Sequence, residues 1–151
     1  MNHMKAVIQR VLSASVSIDS KVVGSINRGL LIFLGVAQKD TSTDLEYMVN
    51  KTVGLRIFKD EHANMNLSID DVGGEALVVS QFTLCADTNK GRRPSFINAA
   101  PLEIADNMYQ QYCKKLHKEN ISVQMGQFGA MMEVKLINDG PVTIVLDSRE
   151  R

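Results

Sequence analysis

Hydrophobic residues recur along the chain at two spacings, which predict two helices among a larger number of strands. One helix is predicted over Asp44 to Phe58, after the capping-box pattern Thr43-x-x-Glu46, because its apolar residues recur every three or four positions. A second helix is predicted from Pro101 to about Lys118, since proline suits the first helical turn and a single apolar stripe follows it. Acidic residues early in this segment and lysines late in it complement the helix dipole.

The remaining apolar segments are short and rich in β-branched residues, which predicts strands. Leu30 to Val36 is apolar throughout, as expected for a strand buried on both faces, whereas Met132 to Leu136 alternates like a half-buried strand. The other predicted strands are Val7–Leu12, Ser15–Ile18, Val22–Ile26, Ala76–Leu84 and Val142–Leu146. The predicted fold class is therefore α/β, with two helices on mixed β-sheet layers. Because the strands outnumber what two helices can cover, some sheet surface is expected to face a partner subunit.

Length and composition narrow the class of protein. A chain of 151 residues fits one domain over residues 1–151. A content of 44% apolar and 23% charged residues excludes intrinsic disorder as the main state. The 17 basic and 17 acidic residues cancel, which argues against a protein that coats nucleic acid through bulk charge and leaves a local basic patch open.

Cysteine content and hydropathy predict a cytoplasmic protein. Cys85 and Cys113 form no disulfide framework, which favours a reducing compartment, and no cationic neighbour in sequence marks either thiol as a nucleophile. The longest apolar run, Gly29 to Ala37, is too short for a membrane span, which takes about 20 residues. Met4 is an alternative first residue, with Met1 to His3 as an extension ahead of it.

Standard catalytic patterns are missing from the sequence. The histidines, at positions 3, 62 and 117, do not lie at metal-ligand spacing, so no metal site is predicted. The chain also has no serine nucleophile elbow, no P-loop and no GxGxxG. No cofactor is predicted.

The run Ser80-Gln81-Phe82-Thr83 places polar residues inside an otherwise apolar strand. Such breaks of local pattern concentrate at functional sites. In a strand, Gln81 and Thr83 would share one face, with Ser80 and Phe82 on the other. The structural alternative is a strand end where polar groups meet solvent.

The run Asn138-Asp139-Gly140-Pro141 is a second departure. Asp-Gly between strands favours a tight hairpin, but Pro141 restricts Gly140 and cannot donate to the ladder. A protruding loop with a candidate cis Gly-Pro bond is therefore expected, and a plain turn is the alternative.

In a third segment, Lys90-Gly91-Arg92-Arg93-Pro94, three cations on a glycine- and proline-containing loop could hold phosphate. A solvated loop is the alternative there.

Four segments in order resemble one protein family. They are Lys5-Ala6-Val7-Ile8-Gln9-Arg10-Val11, Ser80-Gln81-Phe82-Thr83-Leu84, Gly91-Arg92-Arg93-Pro94-Ser95-Phe96 and Asn138-Asp139-Gly140-Pro141-Val142-Thr143. Their order and spacing are similar to those of the D-aminoacyl-tRNA deacylases, the D-Tyr-tRNA(Tyr) deacylase family. These proofreading carboxylic ester hydrolases release D-amino acids from tRNA. The resemblance runs from Met4 to about Ser148.

The resemblance implies a homodimer whose sheets form a barrel-like arrangement across the two subunits. In such a dimer, a cis Gly140-Pro141 of one chain would face Ser80 to Thr83 of the other and reject L-aminoacyl-tRNA by steric clash. Glycyl-tRNA(Ala) would be accepted, because glycine has no side chain to clash. Arg10 would brace the Gly-Pro loop through its guanidinium donors.

The resemblance also implies hydrolysis by backbone groups around Ser80, Gln81, Phe82 and Thr83, together with the 2′-hydroxyl of the terminal adenosine of tRNA. Thr83 as a nucleophile is the alternative, but it needs a base that the sequence does not supply. Arg92 and Arg93 would contact tRNA phosphate, with no membrane or DNA partner. Two other classes stay open from the residues alone: a non-catalytic module that binds RNA ends or peptide termini, and a generic esterase that uses Thr83.

Overall fold

The computed structural model describes residues 3–150, without the side chain of Glu150. The strands are β1 (Lys5–Ile18), β2 (Lys21–Ile26), β3 (Gly29–Gly35), β4 (Phe58–Lys59), β5 (Met65–Leu67), β6 (Glu75–Ser80), β7 (Ser122–Met125) and β8 (Glu133–Asp147). The helices are α1 (Ser42–Gly54) and α2 (Leu102–Lys118), with 3-10 turns at Phe82–Cys85 and Ser148–Glu150. Met1 and Asn2 lie outside the described residues, so the question of whether Met1 or Met4 is the first residue is not addressed by the structure.

Strand β1 is the centre of a mixed six-stranded sheet. Its first half pairs with β3 and its second half with β2, while its other edge pairs along its length with β8, all antiparallel. β3, β6 and β7 follow in parallel. A Cβ built on Gly24 of β2 would lie only 2.8 Å from the carbonyl oxygen of Met125 in β7, so glycine is needed where these strands approach. The sheet thereby nearly closes into a barrel, which confirms the predicted fold class.

Strands β3 and β6 are buried on both faces, which the continuous apolar run Leu30 to Val36 predicted for β3. Leu30, Ile32 and Leu34 belong to a core shared with the helices. Leu31 and Leu77 point to the opposite face and join a second cluster within the sheet. Two separate apolar cores therefore cover the two faces of β3 and β6.

Helix α2 agrees with its prediction, whereas α1 differs at both ends. Asp44 accepts a hydrogen bond from the Thr41 amide at 2.8 Å, so the cap lies two residues before the predicted Thr43. The helix ends at Gly54, because Leu55 is extended with φ −62° and ψ 124°. The buried hydroxyls of Thr52 and Tyr112 lie 2.7 Å apart and join the two helices. Neither helix in residues 3–150 is long and apolar enough to cross a membrane.

Several predicted strands have different bounds. Val7–Leu12 and Ser15–Ile18 form one strand, and Met132–Leu136 joins Val142–Leu146 as β8. The ladder between these two long strands shifts register between Gln9 and Val11. A bulge at this shift accommodates the polar residues Asn138 and Asp139, which in sequence indicate a turn. The sequence analysis missed β4, β5 and β7, whose two to four residues are too few to show a period.

Candidate functional site

The run Ser80 to Thr83 lies where β6 ends, and this corrects the predicted strand Ala76–Leu84. The Gln81 amide donates to the Leu34 carbonyl at 2.8 Å, and the chain then turns into the 3-10 segment Phe82–Cys85. Ser80 and Gln81 are half-buried, whereas Phe82 and Thr83 are exposed. The prediction that residues 80–83 alternate between the two faces of a strand is therefore wrong. The polar side chains lie at a strand end and need no buried partners.

Two backbone donors of this turn are unused. The amides of Phe82 and Thr83 donate to no acceptor within residues 3–150, while the next amide, that of Leu84, bonds back to the Gln81 carbonyl at 3.2 Å. Adjacent free amides on a rigid turn can stabilise negative charge that develops on a bound carbonyl oxygen. The turn thus offers donors of the kind that ester hydrolysis requires.

The Thr83 hydroxyl has an amide neighbour rather than a base. The Nε2 atom of Gln81 donates to Thr83 Oγ1 at 2.5 Å. No carboxylate or imidazole among residues 3–150 is hydrogen-bonded to that hydroxyl. Because a carboxamide cannot take up a proton at neutral pH, this contact orients the threonine and does not activate it.

Close packing fixes the turn against β3. A Cβ built on Gly35 would lie 2.9 Å from Leu84 Cβ and 3.0 Å from the Gln81 carbonyl oxygen, so the turn can approach only because residue 35 is glycine. Cys85 closes the turn, and burial raises the pKa of its thiol to about 11. A buried, protonated thiol is a core residue, as the sequence indicated.

An aromatic pair lies on the exposed side of the turn. Phe82 is 52% exposed, and Phe96 packs edge-on against it with ring centroids 5.0 Å apart. Phe96 follows the basic loop, which is the segment from Lys90 to Pro94. Two backbone hydrogen bonds between Asp87 and Ser95 close this loop at its base. The loop's cations, Arg92 and Arg93, are exposed and form no ion pair within residues 3–150. The basic loop is therefore joined directly to the turn.

The Gly-Pro segment, residues 138–142, bulges out of β8 opposite Arg10, and Gly140 and Pro141 are exposed. The Gly140–Pro141 peptide bond is cis, and Gly140 has φ 139°, a region that favours glycine. The Asn138 side chain clamps the segment, because its Oδ1 accepts from the Val142 amide at 2.7 Å and its Nδ2 donates to the Val142 carbonyl at 3.1 Å. The cis bond agrees with the sequence prediction, but the expected loop between two strands is instead a bulge within the continuous strand β8, because Asn138 pairs with Val11 and Thr143 with Gln9.

Arg10 anchors this segment from below. Its side chain is buried, with only 2% of the residue exposed. Its Nε donates to the Asp139 carbonyl at 2.9 Å, and its Nη1 donates to the Ile57 carbonyl at 2.6 Å. The Asp139 carboxylate lies 3.4 Å from the same Nε. The carbonyl that Arg10 binds in this segment is thus the one before Gly140, and Arg10 leaves the carbonyls of Gly140 and Pro141 unbound.

The two motifs lie apart within one subunit. Arg10 pairs with Leu30 on β3, whereas Ser80 pairs with Leu34, four residues further along that strand. This corresponds to about 13 Å along the strands, and β8 lies three strand spacings from β6, which is about 14 Å measured along the curved sheet. One chain alone does not bring Gly140 and Pro141 to the turn at residues 80–83.

The sequence analysis missed several residues that shape the site. Asn138, Ile57, Gly35 and Phe96 were not predicted as site residues, although each positions a motif residue. For Asn138 a signal was present, since a side chain able to cap a turn directly precedes Asp-Gly. The Ile57 carbonyl and Gly35 depend on tertiary contacts that leave no local pattern.

Comparisons with known proteins identify the family of this chain. The sequence profile of the D-Tyr-tRNA(Tyr) deacylase family matches residues 7–147. A D-aminoacyl-tRNA deacylase of Desulfatibacillum aliphaticivorans is 55% identical over 146 residues, covering 97% of this chain and 100% of the relative. That of Clostridioides difficile (strain 630) is 55% identical over 145 residues, covering 96% and 97%.

Solved structures show the same fold. A structure titled c-Myc DNA Unwinding Element Binding Protein matches with a TM-score of 0.89 and 41% identity, covering 95% of this chain and 97% of the other. A probable eukaryotic D-amino acid tRNA deacylase matches with a TM-score of 0.81 at 17% identity, covering 95% and 98%, and shows likeness of fold alone.

The family profile and these relatives thus define the class of protein: a hydrolase that acts on the ester bonds of aminoacyl-tRNA. The chain belongs to the D-Tyr-tRNA(Tyr) deacylase family, and its activity is hydrolysis of the ester bond of D-aminoacyl-tRNA, a proofreading step of translation.

Proposed function

We propose that this chain selects D-aminoacyl esters through Gly140 and Pro141 of one subunit, set against the turn at residues 80–83 of its partner in a homodimer. The observation that carries this proposal is the segment's construction. Arg10 and Asn138 hold it rigid, yet it lies exposed and away from the turn of its own chain. A rigid, exposed segment with available carbonyls suits a partner's pocket.

The proposed selection is steric. Carbonyl oxygens of the segment accept hydrogen bonds from the substrate's α-ammonium group, and the backbone at Gly140 and Pro141 occupies the space into which an L side chain would project. Rejection through a clash requires rigidity more than affinity. Glycine carries no side chain, so glycyl-tRNA(Ala) is expected to be hydrolysed as well.

The proposed chemistry uses the turn's backbone. A water molecule attacks the ester carbonyl carbon, and the amides of Phe82 and Thr83 donate to the oxygen that becomes negative. The carbon–oxygen bond to the ribose then breaks. The proton from water ends on the ribose oxygen, and the products are the free D-amino acid and tRNA. The 2′-hydroxyl of the terminal adenosine assists, and Phe82 orders that nucleotide.

Arg92 and Arg93 bind tRNA phosphate in this proposal. The chain has no net charge, so local cations must supply the attraction. One structural relative is named for a DNA element, but the cancelling charges of this chain favour a local contact with tRNA over extended binding of DNA.

The experiment that tests selection compares D- and L-aminoacyl-tRNA with the wild type and Gly140→Ala. A Cβ at residue 140 would lie 2.8 Å from Val142 Cγ2 and 3.1 Å from Arg10 Nη2. We expect the turnover of the D-substrate to fall ~10- to 100-fold, because the segment must shift.

Gly129→Ala is the matched control, since Gly129 also has positive φ, +80°, but has nothing within 4 Å of the added methyl. Its activity should equal that of the wild type. Equal D-substrate turnover in the wild type and Gly140→Ala would contradict the proposed role of the segment.

A further inference from the structure

A cluster of three metal-binding side chains lies at the start of α1. His3, Asp40 and Asp44 each direct one donor atom inward, and these atoms all lie within 4.8 Å of one another. The sequence shows no metal-ligand spacing here, because residue 3 is far from residues 40 and 44 along the chain. The antiparallel pairing of β1 with β3 brings residue 3 beside the segment that follows β3. The cluster is separate from the Gly-Pro segment and from the exposed side of the turn.

Neighbouring groups orient the two carboxylates. The Oδ2 atom of Asp40 accepts from the Ala37 amide at 2.6 Å, and the Oδ2 atom of Asp44 accepts from the Thr41 amide at 2.8 Å. The Ser148 hydroxyl donates to Asp44 Oδ1 at 2.7 Å. Each carboxylate therefore uses its Oδ2 atom to hold the backbone, and the Oδ1 atom of Asp44 accepts from Ser148 while lying beside the His3 imidazole. Hydrogen bonds of this kind typically orient metal-binding carboxylates.

Two donor atoms in the cluster are buried without a hydrogen-bond partner in residues 3–150. They are Asp40 Oδ1, on a residue only 9% exposed, and His3 Nδ1. Buried polar atoms in folded proteins are rarely left unpaired. His3 Nδ1 lies 3.5 Å from Asp44 Oδ1, close to the ~3.4 Å that separates two ligands of a tetrahedral zinc ion with bonds of about 2.0–2.1 Å.

We propose that His3, Asp40 and Asp44 bind one zinc ion, with water completing the coordination. An imidazole with two carboxylates suits a borderline cation, whereas Mg²⁺ and Ca²⁺ prefer oxygen ligands alone. The ion would join the segment before β1, the start of α1 and, through Ser148, the segment after β8. Its role is structural, and the reaction of the proposed active site does not pass through it.

The test titrates untagged, chelator-treated protein with ZnCl2 in a calorimeter. We expect one Zn²⁺ per chain in the wild type and no saturable binding of Mg²⁺. Asp40→Asn and His3→Ala should each weaken Zn²⁺ binding by about tenfold or more. His62→Ala is the matched control, because His62 lies on an exposed loop, and it should bind as the wild type does.

Thermal unfolding supplies a second measurement. Zn²⁺ should raise the midpoint of the wild type and of His62→Ala, but not that of His3→Ala, because a ligand of the native state stabilises it. If Asp40→Asn does not fold, His3→Ala decides the question. Absence of saturable Zn²⁺ binding, or equal binding by the wild type and His3→Ala, would show that the cluster holds only an ion pair between the imidazole and a carboxylate, and would overturn the proposal.

Discussion

Thr83 is the residue at which two mechanisms make opposite predictions. Its hydroxyl is oriented by Gln81, with no base bonded to it in residues 3–150. We therefore expect Thr83→Ala to keep D-aminoacyl-tRNA turnover within about tenfold of the wild type, whereas loss of a covalent nucleophile typically costs ~10⁴-fold or more. Single-turnover deacylation measures this directly. Complete inactivity of a folded Thr83→Ala protein would favour the nucleophile.

A substrate change probes the same chemistry without altering the protein. If the 2′-hydroxyl assists, D-aminoacyl-tRNA that ends in 2′-deoxyadenosine should react much more slowly with both the wild type and Thr83→Ala. Equal rates for the two substrates would exclude this assistance and leave the backbone amides of Phe82 and Thr83 as the main contribution of the site.

The two cysteines provide a test of the buried core. Burial raises the pKa of Cys85 to about 11 and that of Cys113 to about 12. Both thiols should be protonated at pH 8 and unreactive toward a thiol reagent in the native state, but reactive after unfolding. A fast native reaction of either thiol at pH 8 would contradict this burial.

The same shifts predict a pH dependence of stability. Both thiols have a native pKa above the ordinary value of 9.0, so the native state holds these protons more tightly than the unfolded state. Their contribution is intact below pH 9 and is lost as the pH rises from 9 toward 12. Denaturant unfolding at pH 8 and pH 10.5 should therefore show lower stability at the higher pH. The double variant Cys85→Ala/Cys113→Ala is the control, because it should lose less stability over this interval.

At the scale of elements, the loop between Asp87 and Ser95 is expected to bind tRNA phosphate. Replacing Arg92 and Arg93 by Ala should weaken binding of all tRNAs and make the dependence of affinity on salt shallower, because fewer counterions are released. Filter binding at several salt concentrations measures both effects.

The matched control for the loop is Lys114→Ala/Lys118→Ala, which removes the same charge from exposed positions on α2. It should leave the salt slope unchanged if the loop is the contact. A slope that is equal in the wild type and in the arginine double variant would show that the loop is only solvated.

The elements that sequence predicted well are those with a sustained period or a continuous apolar run. Helix α2 and strand β3 were predicted because each buries a defined set of positions. The long strands β1 and β8 were each divided in two, because serines and Asn138 to Pro141 interrupt their alternation locally while the ladder between them continues. The hydrophobic pattern of one strand cannot show that its neighbouring strand still pairs across a run of polar residues.

The candidate site was predicted unevenly for a similar reason. Runs of unusual residues marked the turn and the Gly-Pro segment, so their positions could be found from sequence. The free amides of Phe82 and Thr83 exist only because the strand ends at Ser80 and a 3-10 turn follows. The supporting contact between Arg10 and Ile57 joins positions 47 residues apart. Neither follows from the residue types alone.

At the scale of the whole molecule, we predict a homodimer with sites shared between subunits. Exposed apolar residues on the paired strands β1 and β8, including Leu12, Ile137 and Val145, leave sheet surface available for a partner. A symmetric pair is the default assembly for such a surface. Light scattering should give twice the chain mass, and a fully active monomer would contradict the prediction.

Mixing two variants of low activity tests the shared site more sharply. Gly140→Ala carries its change in the segment, and Phe82→Pro would disrupt the partner's turn. In a heterodimer of the two, one site has both changes and the other has neither. Random exchange should therefore restore about a quarter of wild-type activity. Absence of recovery in dimers shown to have exchanged would place both motifs of each site on the same chain.

The pairing of β1 with β8 has a consequence for synthesis of the protein. β1 leaves the ribosome before the other strands described, yet Lys5 pairs with Asp147, at the end of the last of them. Until β8 has been made, β1 presents an unpaired edge of 14 residues, and such an edge readily pairs with other chains. Sheets dominated by distant pairings also fold slowly. Nascent chains that stop before residue 133 should therefore aggregate, and chaperones that cover an exposed strand should bind them in preference to the finished protein.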